Sequence, residues 1–234
     1  MPETLNATLY EAQIRVAGSI LEAIPPASLV TLGPAGSNSD LVARDLAEIS
    51  GVDPDSIILC GNFPEIIKRV DSGKDYVGVL PVANSIGGDV LHDPRQLLTN
   101  AEAIRRASQQ ILAAVGLPVK HCLLGRNIGI TELEGGIVHS NPQALRQCAQ
   151  YICEKGMTAV DTQSTSAAAR ALANDELPPE SMVIAPPLAG ELYGLPILDD
   201  NIGDKRAEEN VTTMALFSRP DILIPRYPRI LPAN

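Results

Sequence analysis

SLVTLGPAGSNSDLVARDLAEISG, residues 28–51, reads as a short apolar strand, a glycine- and serine-rich turn, and a helix stopped by Gly51. The same unit recurs. Residues 56–60 (SIILC) read as a strand and 63–72 (FPEIIKRVDS) as a helix. Residues 76–82 (YVGVLPV) read as a strand running into a loop at 84–88, and 93–107 are helical in character. Two strands at 110–117 and 119–125 form a crossover. Beyond it the spacing predicts strands at 136–140, 158–161, 182–185, 195–198 and 210–218, and helices at 142–155, 164–174 and 187–193. Alternation of strands with helices predicts βαβ units, parallel sheets and an α/β fold class. So many strands overfill one sheet, so two lobes are expected. The last strand returns to the first lobe, because the chain must pass back after the middle unit.

Ahead of this pattern, Leu5, Leu9, Ile14, Ile20 and Leu21 fall at helical spacing and end at Pro25-Pro26. This predicts a helical extension over 1–27, packed on this chain or on a second subunit. The first lobe is then expected over 28–112 plus 203–234, and the second over 113–202. The four prolines after residue 218 predict an extended arm.

Composition narrows the function. Of 234 residues, 18 are Lys or Arg and 28 are Asp or Glu, a net charge of −10, which disfavours nucleic acid and anionic membranes as partners. Aromatic residues are 3% with no Trp, so base-stacking platforms are disfavoured and the core must be aliphatic. Cys60, Cys122, Cys148 and Cys153 form no CxxC pair and read as buried thiols. The N-terminus lacks a basic region followed by an apolar one, and no run reaches the length of a membrane span, so a cytoplasmic location is expected. His92, His121 and His139 lie on separate elements without metal-ligand spacing, and no dinucleotide or Walker fingerprint occurs; neither a metal nor a cofactor is expected.

Ligands of open α/β sheets bind beyond the carboxyl ends of the strands. Small polar residues stand at those ends. GPAGSNS offers Ser37 and Ser39, VANSIGG offers Asn84 and Ser85, and VHSNPQAL offers Asn141. STSAAA offers Ser164, Thr165 and Ser166, and NVTTM offers Thr212 on one face and Thr213 on the other. Plain helix caps and turns account for each of these singly. Together they suit carboxylates held by hydroxyls, amides and helix N-termini rather than by cations.

In their order these segments resemble the catalytic domain of the prephenate dehydratase family. That family has a Gly-Ser/Thr loop at GPAGSNS and a Glu-Asn-Ser turn at Ala83-Asn84-Ser85. It has Ser-His-Pro-Gln-Ala-Leu followed by Gln-Cys at 140–148, Ser-Thr-x-x-Ala-Ala at 164–169, and Asn-x-Thr-Arg-Phe at 210–214. The resemblance implies two Rossmann-like lobes of the type II periplasmic-binding-protein kind with an interlobe active site. It gives Thr212 the proton-donor role and makes Ser37, Ser39, Asn84, Ser85, Asn141, Ser164, Thr165 and Ser166 substrate contacts. The departures are Ala83 for Glu, Asn141 for His, Thr213 for Arg and Met214 for Phe. The chain stops soon after the last motif, so no ACT domain is expected.

These departures resemble the prephenate decarboxylase branch of natural-product pathways, of the bacilysin and aeruginosin type. They imply a carbon–carbon lyase of antibiotic or other secondary metabolism that releases CO2 from prephenate but keeps the ring hydroxyl. Dehydration to phenylpyruvate and non-catalytic binding of a small anion are the alternatives. The expected partners are the dicarboxylate substrate and, through the N-terminal helix and the tail, a second copy in a homodimer.

Overall fold

In the computed structural model, residues 2–73, 75–93, 98–126 and 133–222 are described. Helix α1 (Pro2–Ala23) precedes strand β1 (Ser28–Leu32) and helix α2 (Asn38–Ser50). The quoted stretch folds as its residues dictate. β1 is buried through its middle, Ser37 caps α2 by accepting from Asp40 N at 3.2 Å, and Gly51 ends it at φ 73°.

There follow β2 (Ile58–Cys60), α3 (Phe63–Ser72), β3 (Tyr76–Asn84), β4 (Gly88–Asp89), β5 (Leu91–Asp93), β6 (Leu98–Thr99), α4 (Asn100–Arg106) and β7 (Gln110–Pro118). The second half comprises β8 (Cys122–Leu124), β9 (Ile137–Ser140), α5 (Pro142–Gln147), α6 (Ala149–Glu154), β10 (Thr158–Asp161), α7 (Thr165–Ala173), β11 (Met182–Ala185), α8 (Pro187–Tyr193), β12 (Ile197–Asp199) and β13 (Val211–Ser218).

Two sheets result, in the orders β2-β1-β3-β13-β7 and β10-β9-β11-β8-β12, with β4 beside β3 and a separate β5–β6 pair. The α/β class with two lobes stands. β13 does return to the first sheet, between β3 and β7. Three details differ from the sequence reading. The sheets are mixed: β13 runs antiparallel to β3 and β7, and β8 antiparallel to β11 and β12. The physical reason is direction of travel. β7 leaves the first sheet toward the second lobe, so the returning β13 enters at the end where β7 leaves and runs the other way, with Val211 opposite Pro118. Position 112/113 lies inside β7, an unbroken strand of the first sheet up to Pro118. The helix expected over 142–155 is two, because Cys148 leaves helical geometry and the returning chain takes the freed groups. Asp204 N donates to Gln147 O at 2.7 Å, and Asp204 Oδ1 accepts from Gln150 N at 3.0 Å.

α1 packs on this chain. Ile14, Ala17 and Leu21 join Val42, Leu46, Val79, Val115 and Met214 on one face of the first sheet. Val30, Ile66, Leu80, Ile104 and Phe217 fill the other. Cys60, Cys122 and Cys148 are buried free thiols, whereas Cys153 is exposed, against expectation. It lies near the end of α6, on the side turned from the core that Ile152 joins. No described helix is long and apolar enough to cross a membrane. The expected proline-rich arm over 223–234 lies outside the described residues.

Candidate functional site

The end of β3 meets the start of β13, and there the sequence builds a polar junction. Asn84, 6% exposed, folds its side chain over the following turn, so its Oδ1 accepts from Ile86 N at 3.1 Å and Gly87 N at 2.8 Å. Two backbone donors on the oxygen fix which way the amide points. Nδ2 therefore donates to Asn210 Oδ1 at 2.8 Å and to Thr212 Oγ1 at 3.0 Å. Thr212 Oγ1 accepts in that contact, so its own proton is free to be donated elsewhere.

From the second lobe, Gln147 at the end of α5 joins this junction. Its Oε1 accepts from Asn210 Nδ2 at 3.2 Å and meets His121 Nε2 at 2.8 Å. A carboxamide oxygen only accepts, so the proton of neutral His121 sits on Nε2. Burial pushes the His121 pKa below its ordinary 6.5, with the Gln147 contact opposing. Gln147 Nε2 reaches back to Asn84 Oδ1 at 3.4 Å, so side chains from both lobes share one hydrogen-bonded cluster.

The pairing of β13 with β3 decides how the family departures are arranged. Thr212 lies opposite Asn84, and Thr213 lies opposite Ala83. Alternation sends the two threonines to opposite faces. Thr213 lines a recess of about 250 Å³ with Leu9, Gln13, Gly116 and Val211. Met214 is fully buried in the core that also holds α1 and α2.

The remaining sequence-predicted residues fall at helix starts and turns. Ser37 Oγ both caps α2 and donates to Leu32 O at 3.1 Å, and Ser85 Oγ donates to Glu209 O at 2.6 Å while accepting from Val211 N at 2.9 Å. Both hydroxyls are thus engaged within the chain. Asn141 caps α5, accepting from Ala144 N at 2.7 Å, and Ser164 caps α7, accepting from Ala167 N at 3.1 Å, which leaves the Ser164 proton to donate. Ser39 is buried beside the start of α2, and Thr165 is half-buried at the start of α7. Ser166 is fully buried, and its Oγ has no partner among the described residues.

The lobes touch where Tyr193 OH donates to Ala35 O at 2.9 Å. Gly36, at φ 79°, is approached so closely by α8 that a Cβ there would stand 3.0 Å from Ala189 Cα. Beside this contact lies an interlobe cleft of about 330 Å³. Gly33, Pro34 and Gly61 line it from the first lobe, and Gln163, Ser164 and Arg170 from the second. It sits beyond the carboxyl ends of β1 and β2 and at the start of α7, where a ligand is expected. A larger depression of about 770 Å³ lies over Arg126, Glu191 and Gly194, on the second lobe alone.

The structure therefore joins Asn84 to Thr212 directly and puts Ser164 on the cleft. Sequence reasoning assigned no part to Gln147, Asn210, His121 or Arg170. For Arg170 a signal existed: Ser164, Ala167 and Arg170 are spaced i, i+3, i+6 along one helix face. For the others the signal is tertiary. His92 Nδ1 lies 3.0 Å from Asn100 Oδ1, and His139 is buried with its pKa pushed down by that burial. Among the described residues no group of three or more His, Cys, Asp or Glu could hold a metal.

Comparison with known proteins bears on the family and the fold. The family model "Prephenate dehydratase" matches residues 29–221. The bifunctional chorismate mutase/prephenate dehydratase of Enterobacter agglomerans is 32% identical over 200 residues, covering 84% of this chain and 48% of that protein, so the chain spans about half the relative's length. Among solved structures, GqqA, described as a novel type of quorum-quenching acylase, aligns with a TM-score of 0.67 at 29% identity, over 85% of this chain and 66% of that one. The prephenate dehydratase of Arthrobacter aurescens in complex with L-Phe aligns with a TM-score of 0.68 at 24% identity, over 85% and 62%, and shares the fold. The chain belongs to the prephenate dehydratase family.

Proposed function

We propose that this chain decarboxylates prephenate without aromatising it, giving a dihydro-4-hydroxyphenylpyruvate for a natural-product pathway. One observation carries the reading: Ala83 and Thr213, which stand where the family has Glu and Arg, are direct cross-strand partners. The Glu and Arg would form a neighbouring pair of opposite charge. Removing both deletes the unit without stranding either charge, which a single loss would do. The opposite face keeps Asn84 and Thr212 in hydrogen-bond contact.

The chemistry suits such a division. Dehydration must help the ring hydroxyl depart as water, and a charged pair one residue along from Asn84 and Thr212, on the opposite face of the same strands, would act on that step through the strands that position them. Decarboxylation breaks the bond between the ring and its carboxylate. CO2 leaves, the bonding pair moves into the ring diene, and a proton is delivered to a ring carbon while the hydroxyl stays. Thr212, accepting from Asn84 and free to donate, suits that proton delivery, directly or as a relay. Ser37, Ser39, Asn84, Ser85, Asn141, Ser164, Thr165 and Ser166 remain proposed substrate contacts, with the Ser37 and Ser85 hydroxyls also bonded within their own loops.

Ordinary dehydration is the second reading, favoured by the relationship to the Enterobacter agglomerans protein. Incubation with prephenate, following CO2 and the ultraviolet spectrum of the product, separates the two. CO2 with a non-aromatic product supports the proposal, and phenylpyruvate sinks it. No turnover would leave a small-anion binding role in the same cleft. We also propose a cytoplasmic homodimer; a sedimentation mass of 24.8 kDa, that of one chain, would rule the dimer out.

A further inference from the structure

We propose that Arg170 receives the keto-acid carboxylate of the substrate at the interlobe cleft. The inference rests on the function proposed above for the identity of the ligand.

Arg170 lines the cleft together with Ser164 and Gln163, opposite Gly33 and Gly61. It is the sole cationic residue of that lining. Its guanidinium has no ion pair or hydrogen bond among the described residues, whereas Arg44, Arg126 and Arg219 each pair with an aspartate. An unpaired cation facing a cleft in a chain of net charge −10 is placed for an anion from outside. Its neighbourhood is independently marked. Burial pushes the Tyr193 phenol up and the Arg170 charge pulls it down, so the guanidinium lies near the hydroxyl that ties α8 to Ala35. Ser164, the N-cap of α7, and Arg170 lie six residues apart, about 1.7 turns, and both line the cleft with Ala167 between them. A hydroxyl donor and a planar fork of donors so arranged suit one carboxylate.

Prephenate has two carboxylates, and the chemistry selects between them. A cation on the ring carboxylate would stabilise the charge that must leave it, holding back CO2 loss. The side-chain carboxylate keeps its charge from substrate to product, so a cation there binds both states alike. Loss of such uniform binding raises KM and leaves kcat.

The test uses the full chain as wild type, Arg170→Gln and Arg170→Lys. Calorimetric titration with prephenate and with phenylpyruvate is run beside steady-state turnover of prephenate. Arg170→Gln is expected to weaken both ligands and raise KM by the same factor, about ten- to a hundredfold, with kcat little changed and partial recovery in Arg170→Lys. Unchanged affinities, or a loss confined to kcat, overturn the proposal, as does a wild type that binds neither keto acid. A wild type that binds prephenate but makes phenylpyruvate sinks the decarboxylase reading alone. The binding comparison then still decides the role of Arg170.

Discussion

Replacing Gln147 with leucine tests whether the cluster between the lobes stabilises the molecule. Leucine keeps most of the side-chain volume but offers no oxygen. Asn210 Nδ2 and His121 Nε2, on residues 1% and 5% exposed, would each lose their acceptor. A buried donor left unpaired costs about 1–3 kcal/mol, so two cost about 2–6 kcal/mol. The apolar gain from leucine offsets part of this, and about 3 kcal/mol is the expected net loss. For a chain of this length that lowers Tm by roughly 6–12 °C. Gln147→Glu keeps an acceptor for both donors and is the control. It should melt well above the leucine variant, and the new carboxylate should raise the His121 pKa. Thermal melts by circular dichroism at fixed protein concentration provide the comparison. A leucine variant melting within roughly 2 °C of wild type would refute the reasoning, since the cluster would then contribute less than one orphaned donor costs.

Three further outcomes are expected. Thr212→Val should cut prephenate turnover by about 10²-fold or more while prephenate still binds, and unchanged turnover would remove Thr212 from the chemistry. Ala83→Glu combined with Thr213→Arg should raise the phenylpyruvate share of the product, read by its ultraviolet absorbance. Thr213→Arg alone should be the less stable protein, because its charge lacks the cross-strand partner; equal stability of single and double variants would contradict the pairing. Burial holds the pKa of His121 below 6.5, so the unfolded chain binds a proton that the folded chain refuses. That contribution to stability is complete above about pH 6.5 and is lost as the pH falls below it, so the urea midpoint should drop between about pH 7.5 and 5.5. His121→Gln should flatten the slope without abolishing it, since burial pushes His139 in the same direction. An identical slope would show that His121 does not carry it.

Much of the architecture was legible because punctuation and periodicity agreed. Pro142 and Pro187 stand at helix starts, Gly51 and Gly194 at helix ends, and the strands at 158–161 and 182–185 fall where the apolar runs are. Strand direction was not legible. Alternation of elements argues for parallel neighbours, but β13 obeys the path of the chain between the lobes, which no local pattern records. The break at Cys148 depends on Asp204, far along the sequence. The same holds at the site. Asn84 and Thr212 could be named singly, but their contact needs the register of two strands 128 residues apart. Capping residues such as Ser37 were visible as helix starts; that its hydroxyl is consumed by Leu32 O was not.

The placement of β13 also bears on how the molecule comes into being. Strands from the first half of the chain frame the first sheet, but its inner position stays vacant until Val211–Ser218 has been synthesised. Until then β3 and β7 each present a bare hydrogen-bonding edge, and Gly78 waits for the ring of Phe217 that packs against it. The nascent chain therefore carries an open slot from Pro118 until Val211, and every strand of the second sheet has been synthesised before the first sheet can close. The slot invites any extended strand, including that of another copy, so slow synthesis of the last residues or loss of β13 would favour aggregation over partial function.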